Sequence, residues 1–175
     1  QPNVLDGSHY TNFRELVHAE MKRKGYQCRC IRCREVRDRP HDINDAQLFV
    51  EKYEASQGVE YFISIENAAR TILYSHLRLR IPYHTLAGKK HFIRELTDSA
   101  LIREVHTYGE AVPLEERKKG ASQHMGYGRW MMESVDEIVR QEKIKKIAVI
   151  SGIGVRGYYR KLGYQLEGTY MVKKI

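Results

Sequence analysis

Gln123-His124-Met125-Gly126-Tyr127-Gly128 is the stretch on which the reading of this chain turns. Its glycines let the backbone approach a ligand closely. It opens a segment, residues 126 to 141, in which Trp130, Met131, Val135, Ile138 and Val139 recur at helical spacing. The first turn of such a helix aims N–H groups and the positive end of its dipole at whatever sits before it, and a diphosphate suits that environment. A Q-x-x-G-x-G run alone is more often a plain turn. Its flanks strengthen it: a strand over 100–107 precedes it, and a short fully buried strand over 146–151 follows the helix.

Further out, residues 61–65 and 71–81 alternate as strands around the polar turn 66–70. In the second strand Leu73, Leu77, Leu79 and Ile81 share a face with Ser75, and Arg78 and Arg80 take the other, which predicts a half-buried antiparallel hairpin. A short helix over 155–162 and one last strand over 164–172 complete the chain. The order strands, helix, strand, helix, strand predicts an α/β or α+β domain with a helix on the sheet. At the other end Thr11 or Asn12 caps a helix carrying Phe13, Leu16, Val17 and Met21, which stops at Gly25. Arg37-Asp38-Arg39-Pro40 reads as a break, so residues 1–40 form an appendage and 41–175 the main domain.

The 175 residues carry 42% hydrophobic and 30% charged side chains, which fits one ordinary globular domain and excludes disorder, collagen and coiled coil. No apolar run is long enough to cross a bilayer, and no secretory leader is evident, so a cytoplasmic protein without membrane contact is expected. The chain opens at Gln1 rather than Met, as a piece of something longer would. The net charge of +8 is concentrated: residues 21–39 hold a local +6 and 140–175 a local +7, on a body that sums to −5. Lys22, Arg23, Lys24, Arg29, Arg32, Arg34, Arg37 and Arg39 are therefore candidates for a nucleic-acid backbone, against the plainer reading of a solvated surface. His76, His84 and His91 read as surface or structural residues.

All three cysteines, Cys28, Cys30 and Cys33, fall in one hexapeptide. Thiols so close in sequence cannot form a relaxed disulfide framework, whereas thiolates bind zinc and the flanking arginines favour the thiolate. A fourth ligand has to come from elsewhere. His9, His18 and His41 are nearby, and the sequence does not choose between them.

The loop, helix and buried strand together resemble the GNAT superfamily of acetyltransferases, whose [RQ]-x-x-G-x-[GA] loop holds the pyrophosphate of acetyl-coenzyme A. Residues 103–109, 123–128 and 147–164, with the tandem Tyr158-Tyr159, are more narrowly similar to the acetyltransferase domain of the catalytic subunit of Elongator. The early helix and the cysteine run resemble that family's junction with a radical S-adenosylmethionine domain. The resemblance implies a GNAT fold, a mixed and mostly antiparallel sheet flanked by helices, with a zinc-binding N-terminal appendage. It implies an enzyme that helps install a carboxymethyl group on the wobble uridine of tRNA. Acetyl-coenzyme A is its acyl donor, tRNA and other Elongator subunits its partners. S-adenosylmethionine and a 4Fe-4S cluster would serve only in the radical domain, which this chain lacks. Histone or protein lysine acetylation has also been proposed for the family.

On that resemblance Gly126, Tyr127, Gly128 and Arg129 hold the pyrophosphate and Gln123 braces the loop, while Glu104, Val105, His106 and Thr107 face the pantetheine arm and the acetyl group. Glu104 and His106 lie on one face of a strand, and either could deprotonate a water. One of Tyr158 and Tyr159 protonates the departing thiolate while the other packs, with Tyr159 favoured at the coenzyme. Met125 departs from the family, removing a side-chain phosphate contact while leaving backbone donors. Two other readings compete: a free-standing GNAT enzyme acetylating a protein lysine or a small amine, and a silent RNA-binding module with a zinc staple.

Overall fold

The computed structural model describes residues 11–37, 45–108 and 126–175. They fall in two compact units, Gln1–Arg34 and Glu35–Ile175.

In the first unit α1 (Phe13–Arg23) carries Phe13, Leu16 and Val17 on its surface and ends in a left-handed Gly25 with φ 75°. Tyr26 N–H bonds Met21 O at 2.8 Å and Gly25 N–H bonds Lys22 O at 3.0 Å, the double bond that closes a Schellman end. The start is plainer than the sequence suggests, because Asn12 occupies the cap position without a side-chain hydrogen bond. A single helical turn, α2 (Ile31–Arg34), follows the first two cysteines.

The second unit is built on one seven-stranded sheet in the order β1-β2-β3-β4-β5-β7-β6. Its strands are β1 (Ala46–Glu54), β2 (Gly58–Asn67), β3 (Leu73–Pro82), β4 (Ser99–Thr107), β5 (Lys146–Ile150), β6 (Gln165–Glu167) and β7 (Tyr170–Lys174). Only β4 and β5 pair in parallel; every other neighbour is antiparallel. The single turn α3 (Tyr83–Leu86) follows β3, α4 (Tyr127–Gln141) packs on β2, β3 and β4, and α5 (Arg156–Lys161) follows β5. Met131, Val135 and Val139 of α4 close over Ile63, Leu77, Leu79, Ile102 and Ile147, all essentially without solvent exposure. Each such side chain contributes about 1.5–3 kcal/mol of transfer free energy, which makes this contact the main source of stability.

Three features depart from the sequence reading. The hairpin is not half-solvated, since β2 is buried along Gly58–Glu66. Its second face pairs charges internally: Glu60 Oε1 accepts from Arg80 at 2.8 Å and Arg103 at 3.0 Å, and Ser64 donates to Glu66 at 2.7 Å. The segment 46–54, unassigned from sequence, adds β1 as an edge strand. The last strand is in fact two, turned at Gly168 with φ 55°.

Candidate active site

Between β4 and β5 the sheet opens. Their pairing runs from Ser99↔Lys146 to Ile102↔Val149 and stops there, while β4 continues five residues to Thr107. The cause lies on the other edge of β4. Opposite β3 the register passes from Arg78↔Glu104 to Leu79↔Ile102, which leaves Arg103 as an extra residue, a β-bulge that bends and twists its strand. Beyond it β4 keeps its partner β3 and diverges from β5. Ser75 fixes the diverging end, its hydroxyl donating to His106 O at 2.7 Å and lying 3.0 Å from Thr107 Oγ1.

The first turn of α4 faces the same end of the sheet, because Tyr127 packs its ring 5.9 Å from Tyr74 at the start of β3. Gly126 adopts φ 75° at the cap, no side chain among the described residues caps the turn, and the helical ladder begins with Trp130 N–H to Gly126 O at 2.9 Å. The N–H groups of Tyr127, Gly128 and Arg129 therefore point outward from a positive dipole end. Tyr158 of α5 closes the third side. A Cβ built on Gly128 would stand 2.9 Å from the Tyr158 hydroxyl, so any larger residue has to displace that phenol. Tyr159 is buried, edge-on to Tyr158 and Tyr164. Burial raises both phenols, Tyr158 to about 12, so each remains a proton donor at neutral pH.

On the polar face of β3 and β4 the structure brings Glu104 and His106 together, with His106 Nε2 3.6 Å from Glu104 Oε2. Arg78 Nε lies 2.9 Å from the other carboxylate oxygen and His76 Nε2 3.4 Å from it. Val105 points the opposite way, against the core under α4. Arg129 is exposed and donates to Glu133 at 2.8 Å, and the Tyr127 side chain is buried, so these two residues present backbone rather than side chain to the opening. Gln123 lies outside the described residues, as do His124 and Met125. Sequence reasoning missed His76, which reads as one more polar position of an alternating strand.

In the first unit the ligand atoms of His18, Cys28 and Cys33 all lie within 4.8 Å of one another, a set able to hold a metal ion. His18 Nε2 is 3.5 Å from Cys33 Sγ. Arg14, one helical turn earlier, donates to Cys33 at 3.1 Å and to Cys30 at 3.8 Å. That guanidinium lowers the Cys30 thiol to about 6, while burial raises Cys33 to about 11. Of the candidate histidines, His9 and His41 lie outside the described residues. Among the proposed cationic contacts, Arg23 and Lys24 pair with Glu20, Arg37 pairs with Glu35, and Arg39 is not described.

Comparison with known proteins bears on the whole chain. It is 44% identical over 181 residues to the tRNA uridine(34) acetyltransferase of Methanocaldococcus infernus, covering 98% of this chain and 33% of that protein. It is 41% identical over 179 residues to Elongator complex protein 3 of Saccharomyces cerevisiae, covering 99% and 32%. A solved structure of N-terminally truncated archaeal Methanocaldococcus infernus Elp3 superposes with a TM-score of 0.80 at 43% identity, covering 98% of this chain and 41% of that one. By sequence and by fold, this chain is a relative of Elongator complex protein 3. No family profile matches it. The chain spans about a third of the length of these curated Elongator complex protein 3 relatives. Among the described residues no helix is long and apolar enough to cross a membrane.

Proposed function

We propose that this chain is the acetyl-coenzyme A-binding acyltransferase part of an enzyme that modifies uridine at the tRNA wobble position. The observation that carries the reading is the parting of β4 from β5 at Ile102↔Val149, directly before the first turn of α4, left uncapped by the described side chains. An extended ligand with peptide-like amides can pair with the freed edge of β4, and its diphosphate can take the N–H groups of Tyr127, Gly128 and Arg129. Its thioester would then lie along β4 near Glu104 and His106. The substrate brings a thioester carbonyl; the chain supplies proton management. Glu104, or His106 beside it, takes the proton of an attacking water, and a phenol of the Tyr158–Tyr159 pair gives a proton to the departing sulfur.

Three further assignments belong to the same reading. His18, Cys28 and Cys33, with Cys30 adjacent, fit zinc as a structural staple, because soft thiolates and an imidazole at these separations match its tetrahedral demand. Residues 1–40 serve as the junction with a radical S-adenosylmethionine domain and 41–175 as the acyltransferase domain, with Elongator subunits as partners. The tRNA backbone is met by Lys22, Arg23, Lys24, Arg29, Arg32, Arg34, Arg37 and Arg39.

The test is acetyl-coenzyme A hydrolysis by the chain with and without tRNA, against a lysine peptide as competing trigger. Stimulation by tRNA and not by the peptide supports the reading. Acetylation of the peptide with no response to tRNA contradicts it and favours an amine acetyltransferase.

A further inference from the structure

His76 is the one buried histidine among the described residues, 2% exposed, and both of its ring nitrogens face polar groups. Tyr108 Oη lies 3.3 Å from Nδ1, and Glu104 Oε1 lies 3.4 Å from Nε2. The ring itself is held from two sides, stacked on His106 with centroids 5.2 Å apart and tilted against Phe62 of β2 at 5.5 Å. A buried neutral imidazole has one donor and one acceptor to satisfy. This one bridges a phenol and the carboxylate placed above at the thioester.

The chemistry of the partners fixes where its proton sits. Burial lowers the His76 pKa below the ordinary 6.5, against the attraction of Glu104 and with the repulsion of His106 and Arg78, so the ring is neutral at pH 7 and carries one N–H. The Tyr108 phenol, raised to about 12 by burial, stays protonated, and its hydroxyl can donate or accept. The Glu104 carboxylate facing Nε2 can only accept, so the ring proton resides on Nε2, toward Oε1, and Nδ1 is left to accept from the Tyr108 hydroxyl. The 3.4 Å separation is long for a hydrogen bond, as contacts of catalytic groups often are before substrate tightens them. Arg78 Nε meets the same oxygen at 2.9 Å. Both groups lie against Oε1, Arg78 as a charge contact without hydrogen-bond geometry, and they leave Oε2 on the side of His106, available to a water.

We propose that His76 is a positioning residue for Glu104: a neutral, Nε2-protonated imidazole, set by Glu104 and supported by Tyr108, that holds one carboxylate oxygen so that the other accepts the proton of the attacking water. This rests on the acyl-transfer reading above and adds to it a residue that never touches the substrate.

Two measurements test it. Two-bond proton–nitrogen correlation spectra of the wild-type chain at pH 7 are expected to show His76 neutral with the proton on Nε2, and Tyr108→Phe is expected to mix the tautomers. In acetyl-coenzyme A hydrolysis His76→Leu is expected to lower kcat about 10-fold or more with KM and coenzyme affinity unchanged, since a mispositioned base costs rate rather than binding. His76→Gln, which keeps a donor near the Nε2 position, is expected to recover most of that loss. An Nδ1-protonated or cationic ring in the wild type overturns the proposal. So does a His76→Leu chain with wild-type kcat, or Gln and Leu variants impaired alike. A wild-type chain that binds and hydrolyses no acetyl-coenzyme A overturns the acyl-transfer reading instead, and the spectra then decide the hydrogen-bond assignment by themselves.

Discussion

Replacing Gly128 by alanine sets two effects against each other at one atom. The new Cβ would stand 2.9 Å from the Tyr158 hydroxyl, about half an ångström inside ordinary contact, so the phenol has to move. Forced contacts of this kind cost about 1–3 kcal/mol, and Tyr158 is 39% exposed with room to swing, which places this one at the low end. Alanine in place of glycine in a helix returns up to about 1 kcal/mol. The expected net change in folding free energy for Gly128→Ala is therefore within about 1 kcal/mol of zero. Tyr158→Phe removes the obstructing oxygen, after which the nearest atom is the ring carbon at 3.7 Å, an ordinary contact. In that background Gly128→Ala is expected to be stabilising by up to about 1 kcal/mol. Urea denaturation of the four chains of the cycle reads the coupling, and coenzyme A calorimetry on the same chains reads function. Affinity is expected to fall at least 10-fold in Gly128→Ala, because the methyl and the displaced phenol both intrude where the diphosphate approaches. Equal stability changes in both backgrounds, or full coenzyme affinity in Gly128→Ala, would refute the placement of Tyr158 over the first turn of α4.

Other expectations follow from the same geometry. Tyr127 has a buried hydroxyl without a partner among the described residues and its phenol is raised to about 12, so folding stability is complete below the unfolded value near 10 and falls as pH rises beyond it. Tyr127→Phe is expected to be neutral or stabilising at pH 7 and to shift alkaline unfolding, followed by circular dichroism, to higher pH. His18→Ala and Cys28→Ser are each expected to lower the zinc content measured by mass spectrometry, and equal loading in all variants would count against that ligand set. Reversing Arg29 and Arg32 to glutamate is expected to weaken tRNA binding alike for all sequences and to flatten its salt dependence; a salt-independent wild-type affinity would remove phosphate contact as the basis.

Most of the sheet could be read from residues alone because its signals are local. The alternation of Leu77, Leu79 and Ile81 marks β3, the helical spacing of Met131, Val135 and Val139 marks α4, and the short apolar run Ile147-Ala148-Val149 marks a strand buried on both faces. What escaped is set by tertiary context. In β1, Glu51, Lys52 and Glu54 interrupt the apolar pattern, as an edge strand with one partner tolerates. The bulge at Arg103 depends on the twist of β3 against β4 and carries no glycine to announce it. Gly168 did offer a turn signal inside the last strand. For the site, Glu104 and His106 were legible from their spacing of two, and their approach to 3.6 Å follows from it. His76 and Tyr108 were not, because their meeting needs the register His76↔His106 across two strands. His18 reaches the cysteines only once α1 ends at Gly25 and the chain returns, a reversal whose path no spacing rule supplies.

Soaking coenzyme A into crystals of the chain tests the central claim most directly. The diphosphate is expected against the N–H groups of Tyr127, Gly128 and Arg129, with the pantetheine amides paired to β4 beyond Ile102. Density for the coenzyme elsewhere on the molecule, with that opening left to solvent, would contradict the account.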